Sequence, residues 1–175
     1  MVMTQTALVL LDVQVNMFAP EATVYAGERV LEAIARLIRA ARENNAAVVY
    51  VQHNGGPDDP DAPGSAGWQL HEVCKLQAGD LVVQKETPNA FLHTDLAEML
   101  RQREIKQLVL AGFQTELCID TTCRAAWSRG FRVSLAADAH STFDGETLKA
   151  AQIIAHHNSV LRNFAKVYST TNITF

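Results

Sequence analysis

Hydrophobic positions along the chain fall into two alternating patterns. Short continuous runs, Ala7–Leu11, Ala47–Val51, Leu81–Val83, Leu108–Ala111, Phe131–Ala136 and Ala165–Tyr168, show no inward–outward alternation. Runs of this kind predict strands covered on both faces, as in a parallel sheet. Between them the apolar residues take a helical period. Val30, Leu31, Ile34, Leu37, Ile38 and Ala41 form one stripe, which predicts a helix ending near Asn44-Asn45. Leu96, Met99 and Leu100 repeat the pattern briefly, and Ile119, Thr122, Cys123 and Ala126 form a further stripe. Leu148, Ala151, Ile154 and Ala155 predict a last helix that starts near Asp144 or Gly145. Strand–helix alternation over the whole length predicts an α/β protein with three layers and right-handed crossovers, in one domain spanning residues 1–175.

One stretch breaks this rhythm. Residues Asn54 to Gly79 hold five of the nine Gly and three of the five Pro, so they are a long connection with no regular element. A connection of that length is a lid, a binding loop or a subunit contact, or else a floppy insertion. Trp68 favours the first group, because an aromatic side chain in a polar loop usually has something to pack against.

Composition narrows the partners. Lys and Arg total 15 against 19 Asp and Glu, for a net charge of −4, which gives no electrostatic reason to expect nucleic acid or an anionic membrane. The run Ala7–Leu11 meets Asp12 at once and is too short for a signal peptide or a membrane span. An odd count of three cysteines, Cys74, Cys118 and Cys123, argues against a disulfide scaffold and for a reducing, cytoplasmic setting. No CxxC or HxxxH pattern accompanies His71 and Cys74, so no metal and no cofactor is expected.

Ligands of open α/β sheets bind beyond the carboxyl ends of the strands. Asp12 follows the first strand, Lys85 the third, and Cys118 the fourth after the turn Gly112-Phe113-Gln114-Thr115-Glu116-Leu117. One edge of the sheet therefore gathers a base, a cation and a nucleophile. A thiol attacks as thiolate, and a neighbouring cation or a helix N-terminus lowers its pKa. Lys85 and the helix after Cys118 are both placed to do so. Asp12 can take the thiol proton and later return it to a leaving group. The backbone N–H groups of the turn before Cys118 can face a developing oxyanion. Cys123 shares the apolar stripe of its helix and is a small core residue. His140, His156 and His157 are structural or surface groups, and Asp138 caps a loop or reaches the same sheet edge.

Leu10-Leu11-Asp12-Val13-Gln14, Lys85 followed by Asn89-Ala90-Phe91, and Gly112-Phe113-Gln114-Thr115-Glu116-Leu117-Cys118-Ile119 resemble the isochorismatase-like cysteine hydrolases. That superfamily includes nicotinamidases and N-carbamoylsarcosine amidohydrolase. The resemblance runs from about Thr6 to Tyr168 and includes Val51-Gln52-His53-Asn54, Gly67-Trp68-Gln69-Leu70-His71 and Gly130-Phe131-Arg132-Val133. It implies a six-stranded parallel sheet flanked by helices and a triad of Asp12, Lys85 and Cys118. It also implies a cis peptide at Gln114–Thr115, with the amides of Gln114 or Thr115 and of Cys118 forming the oxyanion hole. A dimer or tetramer of identical chains is implied as well. Metal-binding nicotinamidases carry an Asp-x-His pair after the second strand. Here the stretch reads Tyr50-Val51-Gln52-His53-Asn54, so His53 lacks its carboxylate partner.

The reading that follows is hydrolysis of a C–N bond in a small amide or carbamoyl compound through a thioester on Cys118. Phe18, Trp68 and Phe91 are candidate pocket walls, or core residues. Gln14 and Asn16 bind substrate or close the turn, and His53 contacts substrate or is a satisfied polar group near the rim. Two alternatives stand beside it: isochorismatase-type ether hydrolysis with Asp12 as acid and no covalent attack, and a catalytically silent interaction subunit.

Overall fold

The computed structural model describes residues 4–20 and 22–175. In chain order its strands are β1 (Thr6–Leu11), β2 (Phe18–Ala19), β3 (Ala22–Thr23), β4 (Ala47–His53), β5 (Leu81–Lys85), β6 (Gln107–Phe113), β7 (Arg132–Ser141) and β8 (Lys166–Tyr168). The α-helices are α1 (Gly27–Glu43), α2 (Leu96–Gln102), α3 (Asp120–Ser128) and α4 (Ala150–Val160). Six strands form one sheet in the order β5-β4-β1-β6-β7-β8, and every neighbouring pair is parallel. All six predicted strands are present. The antiparallel pair β2–β3 was not foreseen: two residues per strand are too few to show a period.

Alternation within the central strands splits the core in two. Ala7, Val9 and Leu11 of β1 point to one face with Val49, Val51, Leu108 and Leu110, beneath Leu96 and Leu100 of α2 and Ile119, Cys123 and Ala126 around α3. Leu8 and Leu10 point to the other face with Val48, Tyr50, Val109 and Ala111, beneath Val30, Ile34, Leu37, Ile38 and Ala41 of α1. Both faces are covered, which is why these strands read as unbroken apolar runs. Helix α1 stops where expected: Asn45 takes the left-handed conformation at φ 56°, and the Ala46 N–H bonds back to the Ala41 carbonyl.

The last helix is phased differently from the expectation. Its buried residues are Ala150 and Ile153, whereas Leu148, Ala151 and Ala155 face solvent. The cause lies before it. Asp144 accepts the Ala150 N–H and pairs with Lys149, so residues 144–149 close as a loop and the helix begins only at Ala150.

The long connection is built, not floppy. Gly56 N–H donates to Asp59, the Ser65 hydroxyl to the Pro60 carbonyl, and the Trp68 indole N–H to Asn54 Oδ1 at 2.8 Å. Its backbone lies along the segment after β1 through Val15 N–H to Gln69 O, Asn16 N–H to Gly67 O and His71 N–H to Val13 O. Gly67 is required there, because a Cβ would overlap the Pro60 carbonyl oxygen. Among the described residues, no helix is long and apolar enough to cross a membrane.

Candidate active site

Asp12 is the first residue beyond β1. Its backbone turns to φ 51° while its N–H still bonds to Val51 O, so the side chain leaves the ladder buried at the strand end. Lys85 ends β5 in register with His53, which ends β4. Cys118 lies in a π-helical turn, Thr115–Ile119, between β6 and α3. That turn starts from Gly112, whose φ of 121° and contact with the Leu11 carbonyl leave no space for a Cβ.

The three side chains converge. Lys85 Nζ is 2.7 Å from Asp12 Oδ2 and 3.3 Å from Cys118 Sγ. It is also 3.3 Å from His53 Nδ1. An ammonium has three N–H donors and no acceptor, so these contacts use all of them and leave His53 Nδ1 as the acceptor. Asp12 Oδ1 is buried with no hydrogen-bond partner, on a carboxylate that the Cys118 thiol beside it helps keep ionised. Cys118 itself is 9% exposed, which leaves a narrow approach to sulfur.

Electrostatics here departs from the sequence expectation. Burial raises the Asp12 carboxyl above its ordinary range, with the Lys85 ammonium opposing. The Cys118 thiol is not lowered. Burial, with the Asp12 charge adding to it, pushes it up to about 12, and Lys85 offsets only part of that. A cation lowers a thiol when nothing else intervenes, but here the thiol is buried and the Asp12 charge acts against the cation. Cys118 therefore rests as a neutral thiol.

The implied cis peptide is one bond earlier than expected, at Phe113–Gln114. Strand β6 keeps its pairing through Phe113, so the chain turns at the very next bond. Beyond it, the N–H groups of Gln114, Thr115 and Glu116 have no hydrogen-bond partner among the described residues.

The candidate pocket residues scatter. Gln14 is fully buried: its Nε2 donates to His53 O and Trp68 O, both at 3.0 Å, and its Oε1 accepts the His53 N–H at 2.8 Å. Its amide is spent joining β4 to the long connection. Trp68 is half-buried, and its carbonyl also accepts a hydrogen bond from Gln52, which the sequence reading did not single out. Phe18 packs edge-on to Phe113 and against His71, lining a cleft of about 610 Å³ with Asn16, Pro60 and Gly67, away from the triad. Phe91 is a core residue, stacked on Phe131 with Arg129 over its ring. Of the candidate pocket residues, His53 is within hydrogen-bond distance of Lys85.

The other groups resolve as follows. Cys123 is core, as expected, and Cys74 is buried among apolar neighbours. Asp138 does not reach the triad; it accepts hydrogen bonds from the Thr170 N–H and hydroxyl. Among the described residues, no cluster of His, Cys, Asp and Glu is arranged to hold a metal ion. His140 was read as structural or surface. It is fully buried and bonded to Thr115 of the turn that carries Cys118, a contact between distant segments that no local pattern announces.

Comparison with known proteins identifies a family. Residues 6–171 match the family model described as the isochorismatase domain. The chain belongs to the isochorismatase family. It is 36% identical over 138 residues to a streptothricin hydrolase of Streptomyces noursei, covering 79% of this chain and 55% of that protein. It is 29% identical over 171 residues to a ureidoacrylate amidohydrolase of Methylorubrum extorquens, covering 77% and 68% of the two. Among solved structures, an isochorismatase from Pseudomonas putida KT2440 superposes with a TM-score of 0.91 at 29% identity, covering 97% of this chain and 90% of that one. The chain spans about half the length of the streptothricin hydrolases it matches, at 55% and 50%.

Proposed function

We propose that this isochorismatase-family protein is a cysteine hydrolase that cleaves the C–N bond of a small amide or carbamoyl compound. The observation that carries the reading is the buried ammonium of Lys85 bonded at once to a carboxylate and a thiol. That arrangement has a direct use in acyl transfer and no evident one in packing, since burying an ion pair rarely adds net stability. The names of two relatives, a streptothricin hydrolase and a ureidoacrylate amidohydrolase, support the same chemical class.

In the proposed reaction, Asp12 takes the Cys118 proton as sulfur attacks the carbonyl carbon. Lys85 stabilises the developing thiolate and keeps the carboxylate aimed. The carbonyl oxygen gathers negative charge against the unpartnered amides of Gln114 or Thr115, with the Cys118 N–H beside them. Collapse of the adduct breaks the C–N bond, and the Asp12 proton leaves with the ammonia or amine. Asp12 then deprotonates a water that attacks the thioester, and the proton returns to Cys118 as the acid departs.

The test is a screen of small amides and carbamoyl compounds, with isochorismate as a control, for ammonia, amine or acid release. Intact-protein mass spectrometry during turnover accompanies it. An acyl mass on Cys118 is expected. Turnover of isochorismate alone, without an adduct, refutes the proposal.

A further inference from the structure

The turn that carries Cys118 is wound in an uncommon way. Ile119 N–H bonds to Gln114 O at 3.1 Å and Asp120 N–H reaches Thr115 O, the five-residue spacing of a π turn. Such turns are rare, occur mostly as single turns, and are frequent at functional sites. A force must hold this one open. The structure contains a candidate, and the proposed reaction makes no use of it.

Strand β7 runs in register with β6 from Arg132 opposite Gln107 to Leu135 opposite Leu110. It then bulges, so that His140 stands opposite Gly112 and Ser141 opposite Phe113. The bulge brings the His140 ring to the π turn. Its Nδ1 is 2.8 Å from Thr115 Oγ1, and its Nε2 is 3.0 Å from Asn158 Oδ1 on α4. The direction of these bonds follows from the far end. Asn158 Nδ2 donates to the Ala137 carbonyl within the bulge, so Asn158 presents its oxygen to the ring. His140 Nε2 must then carry the proton, Nδ1 is the acceptor, and the Thr115 hydroxyl donates to it. All three side chains are removed from water to a degree that fits a fixed relay: Thr115 and His140 are fully buried and Asn158 is half-buried. Burial also drives the His140 pKa down to about 4, which keeps Nδ1 free to accept at neutral pH.

We propose that His140, itself held by Asn158, is a positioning residue that pins the Thr115 hydroxyl and so keeps the π turn open, with the amides before Cys118 aimed at the reacting carbonyl. The inference rests on the cysteine-hydrolase reading and adds to it a part that touches neither substrate nor sulfur. Without the pin, the turn is free to rewind toward α-helix. The Lys85 ammonium still holds the sulfur while the amides at the start of the turn rotate away.

Thr115→Val keeps shape and removes the donor; His140→Leu removes the acceptor. Both single variants and the double variant are compared with the wild type for kcat, KM, thermal unfolding and the rate of Cys118 alkylation by iodoacetamide, which needs no oxyanion site. Each single variant is expected to lower kcat by about 10- to 100-fold, the scale of a small misplacement of reacting groups, with KM and the alkylation rate unchanged. The double variant is expected to be no slower than the slower single one, because both act through one hydrogen bond. Multiplying losses in the double variant overturn the proposal. So does a folded His140→Leu protein with wild-type kcat, or alkylation that falls in step with turnover. A wild type that hydrolyses no amide overturns the underlying hydrolase reading instead, and this proposal with it.

Discussion

Replacing Lys85 by Met tests the electrostatic heart of the site. The Lys85 and Asp12 side chains are 0% and 2% exposed and their charged atoms are 2.7 Å apart. Met fills the volume but donates nothing. Asp12 Oδ2 then joins Oδ1 in having no partner, and the carboxylate stays buried and uncompensated. Breaking a buried pair from one side costs about 3–5 kcal/mol. The pH dependence has a definite sign. Burial already lifts Asp12 above its unfolded value, and loss of the opposing ammonium lifts it further. Between the unfolded and folded pKa values the native state binds more protons, so the variant loses stability as pH rises and regains it as pH falls. Each unit of additional shift corresponds to about 1.4 kcal/mol at neutral pH. Urea unfolding between pH 5 and pH 8, repeated in an Asp12→Asn background, measures both effects. The penalty is expected to be largest at high pH and mostly absent when residue 12 is Asn, with turnover lost throughout. An equal cost in the two backgrounds, or a cost independent of pH, refutes the reasoning.

Other perturbations read other parts of the site. Cys118→Ala should abolish turnover while leaving the unfolding temperature close to wild type, since the thiol is proposed as reagent; activity in the purified variant would end the covalent mechanism. With its pKa at about 12, Cys118 in the free protein should be alkylated more slowly at neutral pH than an ordinary thiol, with a rate rising roughly tenfold per pH unit; a fast reaction at pH 7 would mean a preformed thiolate. Gln14→Leu strands the His53 N–H and removes a donor from two carbonyls, so it should cost about 1–3 kcal/mol and slow turnover by loosening His53 beside Lys85; chemical denaturation with parallel kinetics would show a wild-type profile if this bridge carried nothing.

The sheet was legible because its signal is local and redundant. A strand buried on both faces must be apolar at every position, and Ala47–Val51 or Leu108–Ala111 cannot be written otherwise. The convergence of Asp12, Lys85 and Cys118 was legible for a related reason: parallel strands put their carboxyl ends on one edge, so a side chain just past a strand is already half placed. What escaped depends on contacts between distant segments. Nothing near Gln14 says that its amide will be used up by His53 and Trp68, and nothing near His140 announces Thr115 or Asn158. Phe91 looked equally suited to a pocket or a core until Phe131 was found against it. The state of Cys118 failed differently. The two influences identified, the Lys85 ammonium and the helix after Cys118, both lower a thiol, whereas burial raises this one, and spacing along a chain does not measure burial.

That balance also explains how a thiol this reluctant to ionise can serve as the nucleophile of the proposed reaction. Loss of the Cys118 proton to solvent would leave a thiolate and a carboxylate against one ammonium, a buried cluster with an extra negative charge, and burial penalises that state. Transfer of the same proton to Asp12 leaves one anion and one cation, as before. The net charge of the cluster does not change, and Lys85, bonded to both Asp12 and Cys118, follows the negative charge from oxygen to sulfur without leaving either partner. Ionisation is thus opposed when the proton must escape and permitted when it stays inside. In the proposed reaction the sulfur becomes reactive as the proton shifts during attack on a bound carbonyl, and it remains a poor target for adventitious electrophiles and oxidants at other times.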